Sequence, residues 1–177
     1  MRLSACVAAI AAAGLTAGLA VAQQVNKDQI AGVRNLARIE TTVACAGATS
    51  AEAVPEIKKM GFASIINLRL ASEAGAEVEK EEAAAKAAGL RYFHVPFAGK
   101  PDPQAAGAFL DAITTKGAEP AFIHCAAGNR AATMWLIKRI AVDHWDVEKA
   151  VAEATALGQT SAPLREFAIE YAKAHRR

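Results

Sequence analysis

One short segment, residues 122–130 (FIHCAAGNR), constrains the fold of this 177-residue chain more than any other part. Its apolar beginning predicts a buried β-strand, and the small residues that follow predict a tight loop before a helix. Such a loop directs successive backbone N–H groups inward, and the next helix adds the positive end of its dipole. Arg130 then supplies a planar guanidinium suited to a tetrahedral oxyanion. The segment therefore predicts an oxyanion site at the end of a strand.

Cys125 opens this loop and is the candidate nucleophile, because the field of inward N–H groups and of a helix N-terminus lowers the pKa of a cysteine placed there. The alternative is a structural thiol, since free cysteine is often buried. His124 is predicted to be a buried, hydrogen-bonded residue that orients the loop. Asn129, at the loop tip, is of a type that tolerates the left-handed conformation. The backbone amides expected to bind the anion belong to Ala126, Ala127, Gly128 and Asn129.

Short apolar runs alternate with helical patterns along the rest of the chain. Strands are predicted over residues 62–68, 90–97 and 120–124, with a weaker signal for a strand pair in residues 36–45. Helices are predicted over residues 49–60, 73–88, 104–115 and 131–142, followed by two closing helices capped by Asp146 and Ser161. This alternation predicts an α/β fold with a central, mainly parallel sheet flanked by helices. Ligands bind such sheets beyond the carboxyl ends of the strands, which is where Cys125 stands.

Residues 1–22 have the pattern of a secretory signal peptide. A positively charged start precedes an apolar run that ends in an A-x-A cleavage site at Ala20-Val21-Ala22. The run is short and rich in Ala and Gly for a membrane span, and a retained anchor is the alternative. We expect a periplasmic or secreted protein with no stable membrane association after cleavage. Residues 23–35 are then a flexible lead-in, and residues 36–177 form one domain.

Charge and metal-ligand patterns exclude several classes of function. A net charge of +2 is too small to predict nucleic acid or a membrane surface as a partner. The four histidines form no tight ligand pair and no metal-knuckle spacing occurs, so neither a metal nor another cofactor is predicted. The expected partner is a phosphate ester or another small oxyanion.

Cys45 is a candidate redox partner of Cys125. We expect it in a loop after the first extended segment, where it could approach the site. Two cysteines in an oxidising compartment can pair, and such a disulfide would silence the site reversibly. The alternative is that Cys45 is a buried, unpaired thiol.

Three motifs, in this order, resemble the cysteine-dependent phosphatase superfamily in its dual-specificity branch: residues 65–69 (IINLR), residues 92–96 (YFHVP), and the loop from His124 to Arg130 with Thr133-Met134 after it. The closest resemblance is to the bacterial beta-lactamase-hydrolase-like phosphatase-like domains, over residues 36–144. It implies the superfamily fold and hydrolysis of phosphate monoesters, including the phosphotyrosine type. Cys125 would attack phosphorus to give a thiophosphate, Arg130 and the loop amides would hold the equatorial oxygens, and water would release phosphate. Arg69, after a buried strand at the same edge, either lines the pocket or pairs with Glu73.

The sequence departs from the phosphatase pattern in three places. Four residues separate Cys125 from Arg130 where the family has five. Ala131 stands where the family has a Ser or Thr whose hydroxyl helps the thiolate to leave. Residues 97–99 occupy the place of the Asp general acid. Asp102, the only nearby carboxylate, is the candidate acid, with a turn and cap residue as the alternative. Loss of the acid forgoes ~10²–10⁴-fold in rate, so low activity is expected.

Two other functions remain open. The Cys-x4-Arg loop also resembles that of rhodanese-type sulfurtransferases, which would carry a persulfide on Cys125. Sulfur transfer needs no proton donor for an alkoxide leaving group. The third possibility is a non-catalytic anion-binding module.

Overall fold

The computed structural model describes residues 24–40 and 42–177, so the predicted signal peptide lies outside the described residues. A six-stranded sheet has the order β1-β2-β3-β6-β4-β5. The strands are β1 Asn26–Asp28, β2 Leu36–Ile39, β3 Val43–Ala46, β4 Ser64–Asn67, β5 Arg91–His94 and β6 Ala121–His124. The helices are α1 Val54–Lys59, α2 Val78–Ala87, α3 Pro103–Thr114, α4 Asn129–Ala141, α5 Val147–Ala156 and α6 Ala162–Ala174.

The four strands β3, β6, β4 and β5 are parallel to one another, and β1 and β2 extend the sheet in antiparallel pairing, β1 with β2 and β2 with β3. Helices cover both faces, because one apolar cluster joins the sheet to α3, α4, α5 and α6 and a second joins it to α1 and α2. The predicted α/β fold with a mainly parallel, helix-flanked sheet is confirmed. Within the described ranges, no helix combines the length and apolarity that a membrane crossing requires.

Several element boundaries differ from the sequence prediction for local reasons. The helix expected from residue 49 begins as a 3-10 turn, Ala51–Ala53, and becomes α1 only at Val54, because Pro55 fits the first turn of an α-helix and not its interior. The helix expected from residue 73 begins only at Val78. The segment 23–35, predicted as a flexible lead-in, holds β1 from residue 26. The three polar residues of β1 carry no alternating pattern of apolar and polar residues that would predict a strand.

The caps predicted for the last two helices are present. The Asp146 side chain accepts hydrogen bonds from the N–H groups of Glu148 and Lys149, and the Ser161 hydroxyl accepts one from Leu164. These caps fix where α5 and α6 begin. Helix α6 packs along α4, which follows the predicted oxyanion-binding loop from Cys125 to Arg130, called the anion loop below. The loop between α5 and α6 is thereby placed against that anion loop.

Candidate active site

Cys125 follows β6, the strand in the middle of the parallel part of the sheet. Its backbone N–H donates to the Ala46 carbonyl of β3 at 3.1 Å, and the Leu68 N–H after β4 donates to the His124 carbonyl at 2.9 Å. These bonds hold the start of the loop between two neighbouring strands. The Cys125 side chain is almost fully buried, and its sulfur accepts a hydrogen bond from the Gly128 N–H at 3.2 Å. The loop therefore aims an amide at the thiol, as expected.

The outer side of the loop is tied down through its carbonyl groups. The Ala126 carbonyl accepts from the Ala48 N–H at 3.0 Å, and the Ala127 carbonyl accepts from Nδ2 of Asn35 at 3.1 Å. A trans peptide is planar, so its N–H points away from its carbonyl. The N–H groups of Ala127 and Gly128 consequently turn to the inner side of the loop. Gly128 makes this possible with a φ of +100°, a conformation that L side chains rarely adopt.

Arg130 is held by a carboxylate and by two backbone carbonyls. Its Nη1 and Nη2 donate to Oε1 and Oε2 of Glu73 at 2.7 and 2.8 Å, and Nη1 also donates to the carbonyls of Leu68 (3.2 Å) and Phe97. Burial opposes the charge of Arg130, but the bond with Glu73 and the neighbouring Cys125 outweigh burial and raise the pKa of Arg130. The Arg130 bond lowers the pKa of Glu73 from 4.5 to about 2.

A cleft of about 450 Å³ opens over these groups. Its lining includes Cys125, Arg130, Glu73, Gly99 and Ser161. Gly99 has a φ of +83°, a conformation that L side chains rarely adopt, and an added Cβ would lie 3.5 Å from Cδ of Arg130, an ordinary contact distance. The cleft thus brings together a thiol, loop residues and a guanidinium.

His124, the predicted orienting residue, is fully buried. Its Nε2 lies 3.0 Å from Oε1 of Glu81, close enough for an ion pair, although the two atoms do not meet hydrogen-bond angles. The other oxygen of Glu81 accepts from Nδ2 of Asn67 at 2.7 Å and from the Tyr92 hydroxyl at 3.1 Å. A buried polar cluster therefore lies directly beneath the start of the loop.

Asn129 begins α4 and does not adopt the left-handed conformation considered for it, because Gly128 takes that role as the N-cap. Its Oδ1 accepts from the N–H groups of Thr160 (3.0 Å) and Ser161 (3.4 Å), which fastens the α5–α6 loop to the anion loop. Ala131 is fully buried in α4. The nearest hydroxyl along that helix, on Thr133, donates to the Asn129 carbonyl one turn back at 2.8 Å.

The structure places Asp102 and Arg69 outside the residues that line the cleft. Asp102 is the N-cap of α3, and its Oδ1 accepts from the Ala105 N–H at 3.0 Å. The Arg69 guanidinium donates to the carbonyls of Gly75 (2.7 Å) and Ala74 (2.5 Å), and its Nε lies 3.4 Å from Glu73. Asp102 therefore caps a helix, and Arg69 organises the loop that presents Glu73.

Cys45 lies within β3, opposite Ile123 of β6, so its expected position in a loop is wrong. Cys45 and Cys125 are both free thiols. Burial, and then the charges of Cys125 and Glu153, raise the pKa of Cys45 well above its ordinary value.

Two acidic residues of this region were not recognised as site residues from the sequence. The sequence predicts Glu73 at the start of a helix, but residues before Val78 form the loop that brings it to Arg130. Glu81 falls within the helix predicted over residues 73–88 and is 1% exposed. A signal for Glu73 exists in hindsight, because a buried-strand end followed by an arginine and a glutamate supplies both halves of an ion pair.

Comparison of the chain with known proteins identifies its family. The family described as "Beta-lactamase hydrolase-like protein, phosphatase-like domain" matches residues 35–142. The Beta-lactamase hydrolase-like protein of Agrobacterium fabrum is 34% identical over 105 residues, covering 56% of this chain. The chain spans 24% of that relative's length.

Solved structures agree on the fold. A DUF442 phosphatase candidate from Shewanella putrefaciens CN-32 superposes with a TM-score of 0.66 at 17% identity, over 82% of this chain and 96% of that one. P. aeruginosa TpbA in complex with pTyr superposes with a TM-score of 0.55 at 20% identity, over 78% and 83% of the two chains. The fold is thus that of cysteine phosphatases, and the protein belongs to the beta-lactamase hydrolase-like phosphatase-like domain family.

Proposed function

We propose that this protein is a cysteine-dependent hydrolase of phosphate monoesters that acts through a Cys125 thiophosphate with low turnover. The observation that carries this proposal is the position of the Cys125 sulfur, which accepts from the Gly128 N–H at 3.2 Å and lines the same cleft as Arg130. Transfer of a phosphoryl group requires a nucleophile and anion donors in one site.

In the first step the thiolate attacks phosphorus, the S–P bond forms, and the bond to the ester oxygen breaks. The loop amides and Arg130 hold the equatorial oxygens, whose charge grows in the transition state. In the second step water attacks phosphorus, and the thiolate leaves with the electron pair of the S–P bond. A phosphate dianion carries two charges against the single charge of Glu73, so it competes for the Arg130 guanidinium.

The proposed low turnover follows from the carboxylate of the cleft. Glu73 lines the cleft, but its bond with Arg130 holds its pKa at about 2, so it is ionised at neutral pH and has no proton to donate. Such a site favours substrates whose leaving group departs without being protonated. Tyrosine has a pKa of about 10, far below that of an alkyl alcohol, and its phosphate ester suits such a site. We therefore propose aryl and phosphotyrosine-type esters as the preferred substrates.

Sulfur transfer is the second candidate, since the four-residue spacing of the loop and the ionised Glu73 both suit a reaction without a proton donor. A paired assay separates the two activities. The mature protein, Cys125→Ser and the control Cys45→Ala are each given p-nitrophenyl phosphate, and separately thiosulfate with cyanide, under reducing conditions. We expect phosphate release by the wild type and Cys45→Ala and none by Cys125→Ser. Thiocyanate that depends on Cys125, without phosphate release, would establish the sulfurtransferase, and silence in both arms would leave an anion-binding module.

A periplasmic or secreted location is proposed from the pattern of residues 1–22 alone. Cell fractionation followed by mass spectrometry of the N-terminus tests it. A chain that keeps Met1 and stays in the cytoplasmic fraction would contradict the proposed export.

A further inference from the structure

Glu81 is a carboxylate buried where a helix faces the sheet. It is 1% exposed, and Ala85, one turn further along α2, is the other buried residue of that helix. Removing a carboxylate from water carries a large free-energy penalty, and an apolar residue of similar size often serves stability as well or better. Stability alone therefore does not account for a glutamate at this position.

The contacts of Glu81 divide between its two oxygens. Oε2 accepts from Nδ2 of Asn67 at 2.7 Å and from the Tyr92 hydroxyl at 3.1 Å. Burial and the charge of Glu81 raise the pKa of Tyr92, which keeps that hydroxyl protonated as a donor. Oε1 is left facing Nε2 of His124 at 3.0 Å, with both side chains sealed from solvent. Two neutral donors thus hold one end of the carboxylate and direct the other end at the histidine.

The same contacts connect the two ends of the anion loop. His124 is covalently joined to Cys125, the first residue of that loop. Oδ1 of Asn67 accepts from the Arg69 backbone N–H at 2.8 Å, and the Arg69 side chain lies 3.4 Å from the Glu73 carboxylate. Glu73 in turn holds Arg130, the last residue of the loop. Of the residues in this chain of contacts, Glu81 is the one that lies against the His124 side chain.

We propose that Glu81 is a positioning residue for Cys125. Its carboxylate favours an N–H at Nε2 of His124 and fixes the plane of that ring, and the ring fixes the backbone from which the Cys125 thiol projects. An apolar residue in place of Glu81 would remove the charged oxygen that lies 3.0 Å from the buried Nε2 of His124. The inference rests on the proposed phosphatase function for its kinetic measurement only, because the reactivity of the thiol can be measured without any substrate.

The test compares Glu81→Gln with the control Glu82→Gln. Glutamine keeps the size of Glu81 and an acceptor for Asn67 and Tyr92, but it presents an amide without charge to His124. Glu82 neighbours it on α2, is partly exposed and pairs with Lys86 at 2.7 Å. Four quantities are measured: the urea midpoint, the rate of Cys125 alkylation by iodoacetamide from acid to neutral pH, and kcat and KM for p-nitrophenyl phosphate. We expect Glu81→Gln to lower the alkylation rate and kcat by about tenfold with KM within about twofold, while Glu82→Gln matches the wild type.

A folded Glu81→Gln variant with wild-type alkylation rate and kcat would overturn the proposal, whatever its urea midpoint. If Glu81→Gln does not fold, Tyr92→Phe removes one donor to the same carboxylate and should lower both rates by about two- to threefold. Wild-type rates in that variant would overturn the proposal as well. If alkylation slows in Glu81→Gln but the wild type hydrolyses no phosphate ester, the proposed function fails and the positioning role stands.

Discussion

Arg130 and Glu73 face each other through two parallel N–H···O bonds, from Nη1 to Oε1 at 2.7 Å and from Nη2 to Oε2 at 2.8 Å. Such bidentate pairs fix a guanidinium in one plane. Arg130 is thus aligned in the absence of any ligand, and under the proposed function the substrate anion must compete with Glu73 for it. Both effects can be measured by removing the charge of Glu73.

Glu73→Gln should tighten the binding of inorganic phosphate and lower kcat. The amide no longer competes as an anion, so the inhibition constant of phosphate falls, while the loss of one of the two parallel bonds loosens the guanidinium in the transition state. Competitive inhibition by phosphate and kcat for p-nitrophenyl phosphate check this, with Glu79→Gln, an exposed carboxylate on α2, as the control. An unchanged inhibition constant would show that Glu73 does not compete with the ligand.

The same pair should make stability depend on acid pH. The pKa of Glu73 is lowered from 4.5 to about 2 in the folded protein, so the unfolded chain binds a proton at a higher pH than the folded one. Its contribution to stability is complete above pH 4.5 and is lost as the pH falls toward 2. The difference in urea midpoint between wild type and Glu73→Gln should therefore be larger at about pH 6 than at about pH 3. Equal differences at the two pH values would contradict the pairing.

Gly128→Ala should reduce activity as well as stability. An added Cβ at Gly128 meets its nearest atom only at 3.8 Å, so the penalty comes from the φ of +100° rather than from a clash. Gly89, with a φ of +68° and nothing within 4 Å of an added Cβ, is a matched control far from the cleft. We expect each alanine to lower the free energy of unfolding by about 1–2 kcal/mol. Only Gly128→Ala should also lower kcat, because relaxation of the loop moves its N–H away from the Cys125 sulfur.

Ala131→Ser should raise kcat. Ala131 follows Arg130 at the start of α4, where the resemblance to phosphatases implies a hydroxyl that helps the thiolate to leave. The Thr133 hydroxyl already donates to the Asn129 carbonyl at 2.8 Å and does not replace it. Ala132→Ser is the control, since Ala132 is equally buried on the next face of the helix. If the two variants have the same kcat for p-nitrophenyl phosphate, a hydroxyl at residue 131 does not assist the reaction.

The number of free thiols in the purified protein distinguishes a site that is closed by a Cys45–Cys125 disulfide from a site in which Cys125 is a free thiol. Cys45 and Cys125 are free, and burial raises the pKa of Cys45 well above its ordinary value. Protein cleaved after Ala22 and purified without reductant should yield two thiols after unfolding. In the native state only the cleft thiol should react quickly with Ellman's reagent. A count of zero after unfolding would demonstrate the disulfide that the sequence left open.

The strand, loop and helix around Cys125 could be predicted because their signals are local. An apolar run, small residues and a helical pattern stand next to one another in residues 121–141, and the structure follows that order. The parallel sheet could be predicted from the repeated alternation of such segments. β1 could not, because three polar residues become a strand only by pairing with β2.

Partners separated along the chain were the harder part of the site. Glu73 is 57 residues from Arg130, and its local pattern indicates only a pairing with Arg69 or the first turn of a charged helix. Glu81 was obscured in the opposite way, because a glutamate among alanines and lysines looks solvated until tertiary packing buries it. Asp102 shows that position along the chain does not by itself identify a catalytic acid. It stands near the expected place of an acid, but its side chain is used by the N-terminus of α3.

The hydrogen bond from Asn35 to the Ala127 carbonyl provides a route by which the anion specificity of this protein can evolve. Besides Arg130, the donors to the proposed anion are main-chain amides, and no substitution other than proline removes the N–H of a residue at its own position. The exposed amide of Asn35 instead turns one of those peptide planes from behind, at a distance from any ligand. Adaptation to a different oxyanion is therefore open to residues that never touch it, through small rotations of the peptides they hold.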